Sequence, residues 1–192
     1  NAMSRFTRRK LLSILTLGIA AITKPILAQS KGIWQKVRFR YLRPPGAMQE
    51  KEFVDTCIRC GLCAQVCPNR CIQFFGIDAG LKLAQTPYIV PRQKACILCM
   101  KCGEVCPTQA LKKIPRNAES VLQNVKMGLA RVDTQLCLSY QGKTCGVCYR
   151  ACPLPDVAIK AARLEQPVVS TQCVGCGLCE RSCIQLPQAI KI

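Results

Sequence analysis

At 192 residues, with 17 cysteines, no histidine and a formal charge of +18, the chain is bounded to one domain or a pair of small ones. The lack of histidine excludes histidine-ligated haem, Rieske-type clusters, Cys₂His₂ zinc sites and histidine-based catalytic dyads or triads. The cysteine content restricts what is left to a disulfide scaffold or a metal protein, and spacing decides between them.

The chain begins with an address. Thr7-Arg8-Arg9-Lys10-Leu11-Leu12 resembles a twin-arginine export signal, and an apolar run from Leu11 to Thr23 follows it. That run is shorter than the ~20 residues needed to cross a bilayer but suits the apolar stretch of a signal peptide. Residues 1–28 are therefore expected to be a Tat-type signal cleaved after Ala28, with a retained basic membrane anchor as the alternative. Residues 29–56 carry Lys31, Lys36, Arg38, Arg40 and Arg43, and are expected to be a basic linker or docking segment. Arg38 and Arg40 alternate with Phe39 and Tyr41, which predicts a short strand. Pro44-Pro45-Gly46 would end it as a turn.

From residue 57 to 192 the chain is an internal repeat of four cysteine motifs. Motif one is Cys57, Cys60, Cys63 and Cys67, and motif two is Cys96, Cys99, Cys102 and Cys106. Motif three is Cys137, Cys145, Cys148 and Cys152, with seven residues between its first two cysteines. Motif four is Cys173, Cys176, Cys179 and Cys183. Proline follows the last cysteine of the first three motifs, and Ile184 follows that of the fourth. The C-x2-C-x2-C-x3-C-P run is the bacterial ferredoxin pattern, in which three thiolates wrap one cubane and the fourth ligates its neighbour. Proline beside the fourth cysteine predicts that this residue opens a short helix. Gly61, Gly103, Gly146, Gly175 and Gly177 lie within the loops, where positive φ brings backbone N–H groups near the sulfurs.

Neither rival accounts for this spacing. Zinc needs separate C-x2-C pairs, and disulfides would leave one cysteine over. Sixteen cysteines are thus expected to hold four [4Fe–4S] clusters. Each oxidised cluster with its thiolates carries roughly −2, which brings the formal charge down to about +10. Without residues 1–28 about +5 would be left, which suits an acidic redox partner or an anionic membrane surface. No aromatic platform for bases is visible, so nucleic acid is not expected, and outer-sphere electron transfer needs no small-molecule substrate.

A small residue and then an aliphatic one follow each fourth cysteine: Cys71-Ile72, Ala110-Leu111, Ala158-Ile159 and Ala189-Ile190. These pairs are expected to start strands. The seventeenth cysteine, Cys71, aligns with Ala110; it reads as a small buried hydrophobe, with a spare ligand or redox thiol as the alternative. Two motif pairings are open, one with two and three with four, or one with four and two with three. The short gap from Cys152 to Cys173 suits the first.

Arg43-Pro44-Pro45-Gly46-Ala47, Thr86-Pro87-Tyr88, Met127-Gly128-Leu129-Ala130 and the run from Cys137 to Pro153 resemble the NapG/MauM ferredoxin-type proteins. The resemblance covers nearly the whole chain. It implies an α+β architecture: a duplicated bacterial 2[4Fe–4S] ferredoxin-like fold, loop-rich, with short strands and helices around the clusters. Through the iron–sulfur subunits of the dimethyl-sulfoxide-reductase class, it favours the nested pairing of motifs. It implies a periplasmic electron-transfer subunit rather than an enzyme. Electrons would come from a membrane quinol-oxidising, NapH-like iron–sulfur partner. They would leave towards a periplasmic cytochrome or reductase, with nitrate respiration as the leading context. A maturation factor for a periplasmic redox enzyme is the alternative.

Overall fold

A computed structural model describes residues 41–192. The expected signal and the basic stretch up to Arg40, including most of the predicted strand, lie outside the described residues. The expected linker boundary at residue 56 is corrected. Residues 41–56 belong to the packed unit, with Leu42 paired to Ile89 and Phe53 fully buried. Helix α1 (Glu50–Thr56) opens on Glu50 and Glu52, whose charges suit the positive end of a helix, and points Phe53 inward.

Each cysteine motif makes the same turn. The residue after the second cysteine takes a left-handed conformation, and one turn of helix follows. Gly61 (φ 79°) precedes α2 (Leu62–Gln65), and Met100 (φ 61°) precedes α3 (Lys101–Glu104). After α4 (Ala118–Asn124), Gly146 (φ 58°) precedes α5 (Val147–Arg150), and Gly177 (φ 84°) precedes α6 (Leu178–Ser182). The third cysteine of every motif lies in its helix. The sequence expectation put the helix after the fourth cysteine; the structure puts it before. The left-handed residue reverses the chain early, and Pro68, Pro107 and Pro153 then lie beyond the helix. Gly103 is helical, so its predicted positive φ does not occur. It is small because the Lys112 carbonyl occupies the place of a Cβ.

The strands are short and form antiparallel pairs. β1 (Ile72–Phe74) pairs with β2 (Pro87–Ile89), with Gln73 opposite Tyr88. β3 (Arg131–Val132) pairs with β6 (Ile190–Lys191). β4 (Ile159–Ala161) pairs with β5 (Pro167–Val169). Ile72, Ile159 and Ile190 begin strands as expected, whereas Leu111 makes only an isolated bridge to Ala47. The mixed short helices and strands agree with a ferredoxin-like α+β fold.

The packing is organised around sulfur. One core joins Leu42, Phe53, Ile72, Ile89, Val121 and Val125 to Cys63, Cys67, Cys71, Cys96, Cys102 and Cys176. A smaller core joins Ala130, Ile159 and Ile190 to Cys179. Among the described residues no helix is long and apolar enough to cross a membrane.

Candidate metal centres

The turns gather the sixteen motif cysteines into four groups. Site one is a cavity lined by Cys57, Cys60, Cys63 and Cys106, with Gly61, Leu62, Phe53 and Ala110 in its wall. Site three is lined by Cys152, Cys173, Cys176 and Cys179, and site four by Cys137, Cys145, Cys148 and Cys183. Site two forms around Cys102, which has Cys99 and Cys67 beside it, and Cys71, which touches both Cys67 and Cys96. Each group takes three thiols from one motif and one from another, as the ferredoxin pattern predicts.

The nested pairing favoured by the resemblance is corrected. Cys106 of motif two completes site one, and Cys152 of motif three completes site three. Motif one therefore meets two, and three meets four. The physical reason is local. Each fourth cysteine leaves its helix within a few residues of its own triad, and the antiparallel pairs β1–β2 and β4–β5 return the chain directly to the next motif.

Neighbouring sites are in contact. Cys63 of site one lies beside Cys102 of site two. The Cys96 N–H of site two donates to the Cys176 carbonyl of site three at 3.0 Å. Cys179 of site three lies beside Cys148 of site four. The order in space is one, two, three, four.

Burial is the first cause of the shifts at the motif thiols, and neighbouring sulfurs add to it. Cys63 is pushed up to about 11, by burial and then by Cys57. Cys102 is pushed up to about 12, by burial and then by Cys99. Burial raises Cys148 and Cys176 to about 11 and raises Cys179 strongly. Backbone N–H groups offset this: those of Ala64 at Cys63, Gly103 at Cys102, Tyr149 at Cys148 and Leu178 at Cys176. Such bonds favour the thiolate form that metal binding needs.

The donor chemistry fits iron–sulfur clusters. The three cavities have largely apolar walls, without Asp or Glu. Among the described residues no three Cys, Asp or Glu side chains converge closely enough to hold a single metal ion. Ser139, in the seven-residue insertion of motif three, lines site four. Its hydroxyl is buried and is without a hydrogen-bond partner among the described residues. A sulfide or thiolate in that cavity would satisfy it.

Several positioning groups were not visible as such in the sequence. Arg43 donates to both Glu50 carboxylate oxygens, to Thr86 Oγ1 and to the Pro87 carbonyl, so the Arg-Pro-Pro-Gly and Thr-Pro-Tyr segments meet. Arg92 donates to the carbonyls of Glu180, Arg181 and Cys183. The Met127 N–H donates to the Val174 carbonyl, and Gly128 packs directly against Gly175. Only a long-range contact map could have identified these roles. In motif three, Arg150 pairs with Glu165 at 2.7 Å and also donates to the Cys145 carbonyl.

Comparison with known proteins agrees with this chemistry. Residues 56–110 match the 4Fe-4S dicluster domain family. The ferredoxin-type protein NapG of Escherichia coli (strain K12) is 38% identical over 100% of this chain and 85% of its own length. The methylamine utilization ferredoxin-type protein MauM of Methylorubrum extorquens is 34% identical over 97% of this chain and 88% of its own. MauM of Paracoccus denitrificans is also 34% identical, over 92% of this chain and 81% of its own. With its cysteine triads, its dicluster domain and relatives along nearly its whole length, the chain belongs to the NapG/MauM family of ferredoxin-type iron–sulfur proteins.

Proposed function

We propose that the protein is a periplasmic electron relay carrying four [4Fe–4S] clusters in a tandem of two dicluster units. Cys57, Cys60, Cys63 and Cys106 hold the first, and Cys96, Cys99, Cys102 and Cys67 the second. Cys173, Cys176, Cys179 and Cys152 hold the third, and Cys137, Cys145, Cys148 and Cys183 the fourth. Bound clusters supply reversible one-electron chemistry, and the protein sets their spacing and potentials.

The observation that carries this reading is the unbroken order of contacts from site one to site four. The two ends also reach the surface. Cys60 of site one is exposed, with Ile58 exposed beside it, and Ile184 is exposed beside Cys183 of site four. Apolar residues around a ligand at each end suit transient contact with a donor and an acceptor. By analogy with the NapG relatives, the donor is a membrane quinol-oxidising, NapH-like iron–sulfur protein, and the acceptor is a cytochrome or reductase of nitrate respiration. Export by the twin-arginine route follows from residues 7–12 and from the need to insert clusters before translocation.

The test is anaerobic reconstitution of the full chain, with iron and acid-labile sulfide counted and an EPR-monitored redox titration. The reading expects about sixteen irons per chain and reversible reduction by a quinol-linked partner. Stoichiometric zinc would overturn the cluster assignment. Clusters that stay inert with the partner would favour the role of maturation factor, which similarity to MauM also allows.

A further inference from the structure

The four sites share one wall position. After each fourth cysteine, the small residue that begins the return of the chain is buried: Cys71, Ala110, Ala158 and Ala189 are each under 5% exposed. Ala110 lines site one, Ala158 lines site three and Ala189 lines site four. Cys71 occupies that position at site two. Its sulfur lies 3.6 Å from Cys67 Sγ, with Cys96 also beside it. A tight turn closes the loop between them, with Arg70 in a left-handed conformation and its N–H on the Cys67 carbonyl. Site two therefore presents five thiols where the others present four. A buried cysteine acting only as a small hydrophobe has no need to face two ligand sulfurs.

We propose that Cys71 is a stand-in ligand for site two, able to take over the iron held by Cys67. The inference rests on the reading that site two holds a [4Fe–4S] cluster. The exchange balances without an oxidant or reductant. The Cys67 sulfur leaves its iron and takes up a proton; the Cys71 thiol gives up a proton and forms the new iron–sulfur bond. The two sulfurs are close enough to pass the proton directly. Site two can thus keep four irons through the loss or modification of one ligand, whereas site one, with Ala110 in the same place, has no replacement.

The experiment reconstitutes the full chain anaerobically as wild type, Cys67→Ala, Cys67→Ala/Cys71→Ala, Cys106→Ala and Cys106→Ala/Ala110→Cys. Iron and sulfide per chain are counted, and EPR after mild oxidation reports three-iron clusters. The expected result is wild-type iron content in Cys67→Ala and a loss of about one to four irons in both Cys106→Ala and the Cys67/Cys71 double variant. Moving the fifth thiol to site one, in Cys106→Ala/Ala110→Cys, restores the missing iron. A Cys67→Ala chain that loses iron as Cys106→Ala does overturns the proposal. If Cys67→Ala fails to fold, the Ala110→Cys arm decides, and failure to restore iron overturns it. A wild-type chain that binds no iron overturns the cluster reading and this proposal together.

Discussion

Single residues around the sites combine sulfur chemistry with backbone geometry. Gly175 sits in the wall of site three at φ 73°, and a Cβ there would meet the Gly128 carbonyl oxygen at 2.6 Å. The conformation alone costs a non-glycine residue about 1–3 kcal/mol, and the backbone clash adds to it. Gly175→Ala should lower the melting temperature of the loaded protein well beyond Gly142→Ala. Gly142 shares the positive φ (86°) but has open space around it. Equal shifts in a thermal melt would refute the packing argument. The thiols make a second prediction. In the metal-free chain the raised pKa values of Cys63, Cys102 and Cys176 mean that folding favours neutral thiols. The resulting stability is fully present below the ordinary value of 9.0 and is lost as pH climbs through about 11 to about 12. Melts of the iron-free, reduced chain should therefore weaken steeply above that ordinary value. The loaded chain, whose thiolates no longer titrate, should be much flatter over the same interval. A third concerns Ser139: Ser139→Ala removes the unpartnered buried hydroxyl at site four. It should leave folding nearly unchanged while lowering one midpoint in the redox titration, because a lost donor to sulfur disfavours the more negative, reduced cluster. Four unmoved midpoints would count against it.

At the level of elements, the cysteine triads were legible in the sequence because they are local. Thiols three residues apart are brought together by one left-handed residue and one helical turn, whatever the rest of the chain does. Motif two shows that glycine is not required, since Met100 takes the same conformation after Cys99. The short strands after Cys71, Ala158 and Ala189 were legible for the same reason. The side of the fourth cysteine on which the helix lies was misread, because proline fits a first helical turn and a helix exit equally well. Motif pairing was legible in part, through the short gap from Cys152 to Cys173; contacts between distant segments were not. Arg92 makes one of these. Its guanidinium meets three carbonyls at the end of α6, the Cys183 carbonyl at 2.9 Å. A cation there both caps the helix and ties the turn after β2 to site four. Arg92→Ala should destabilise the loaded protein by about 2–3 kcal/mol, as expected for loss of charged hydrogen bonds. Denaturant titration checks this, and Arg92→Lys, which cannot span all three carbonyls, should recover only part of it.

For the molecule as a whole, the chain folds around its cofactor sites more than around an apolar centre. Aromatic residues make up 5% of the sequence, and cysteines from sites one, two and three lie within the larger core. The element pairs are only two or three residues long, too short to be stable by themselves. What joins them is the set of loops that wrap the thiols, including the Cys96 to Cys176 bond between sites two and three. Cluster binding should thus be coupled to folding, as in small metal domains whose metal affinity is also their folding free energy. Removing iron by anaerobic chelation, with thiols kept reduced, should sharply lower the midpoint of the cooperative thermal transition and expose apolar surface to a hydrophobic dye. Returning iron and sulfide should reverse both. Loss should also spread beyond a single site. Cys106→Ala, which opens site one at the end of the row, should lower the stability of site two through Cys63 and Cys102. It should leave site four, two contacts further along, close to its wild-type midpoint. Equal disturbance of all four midpoints would mean that the packing is more tightly coupled than the order of contacts implies. An undisturbed melt after complete iron removal would mean that the apolar packing alone holds the fold.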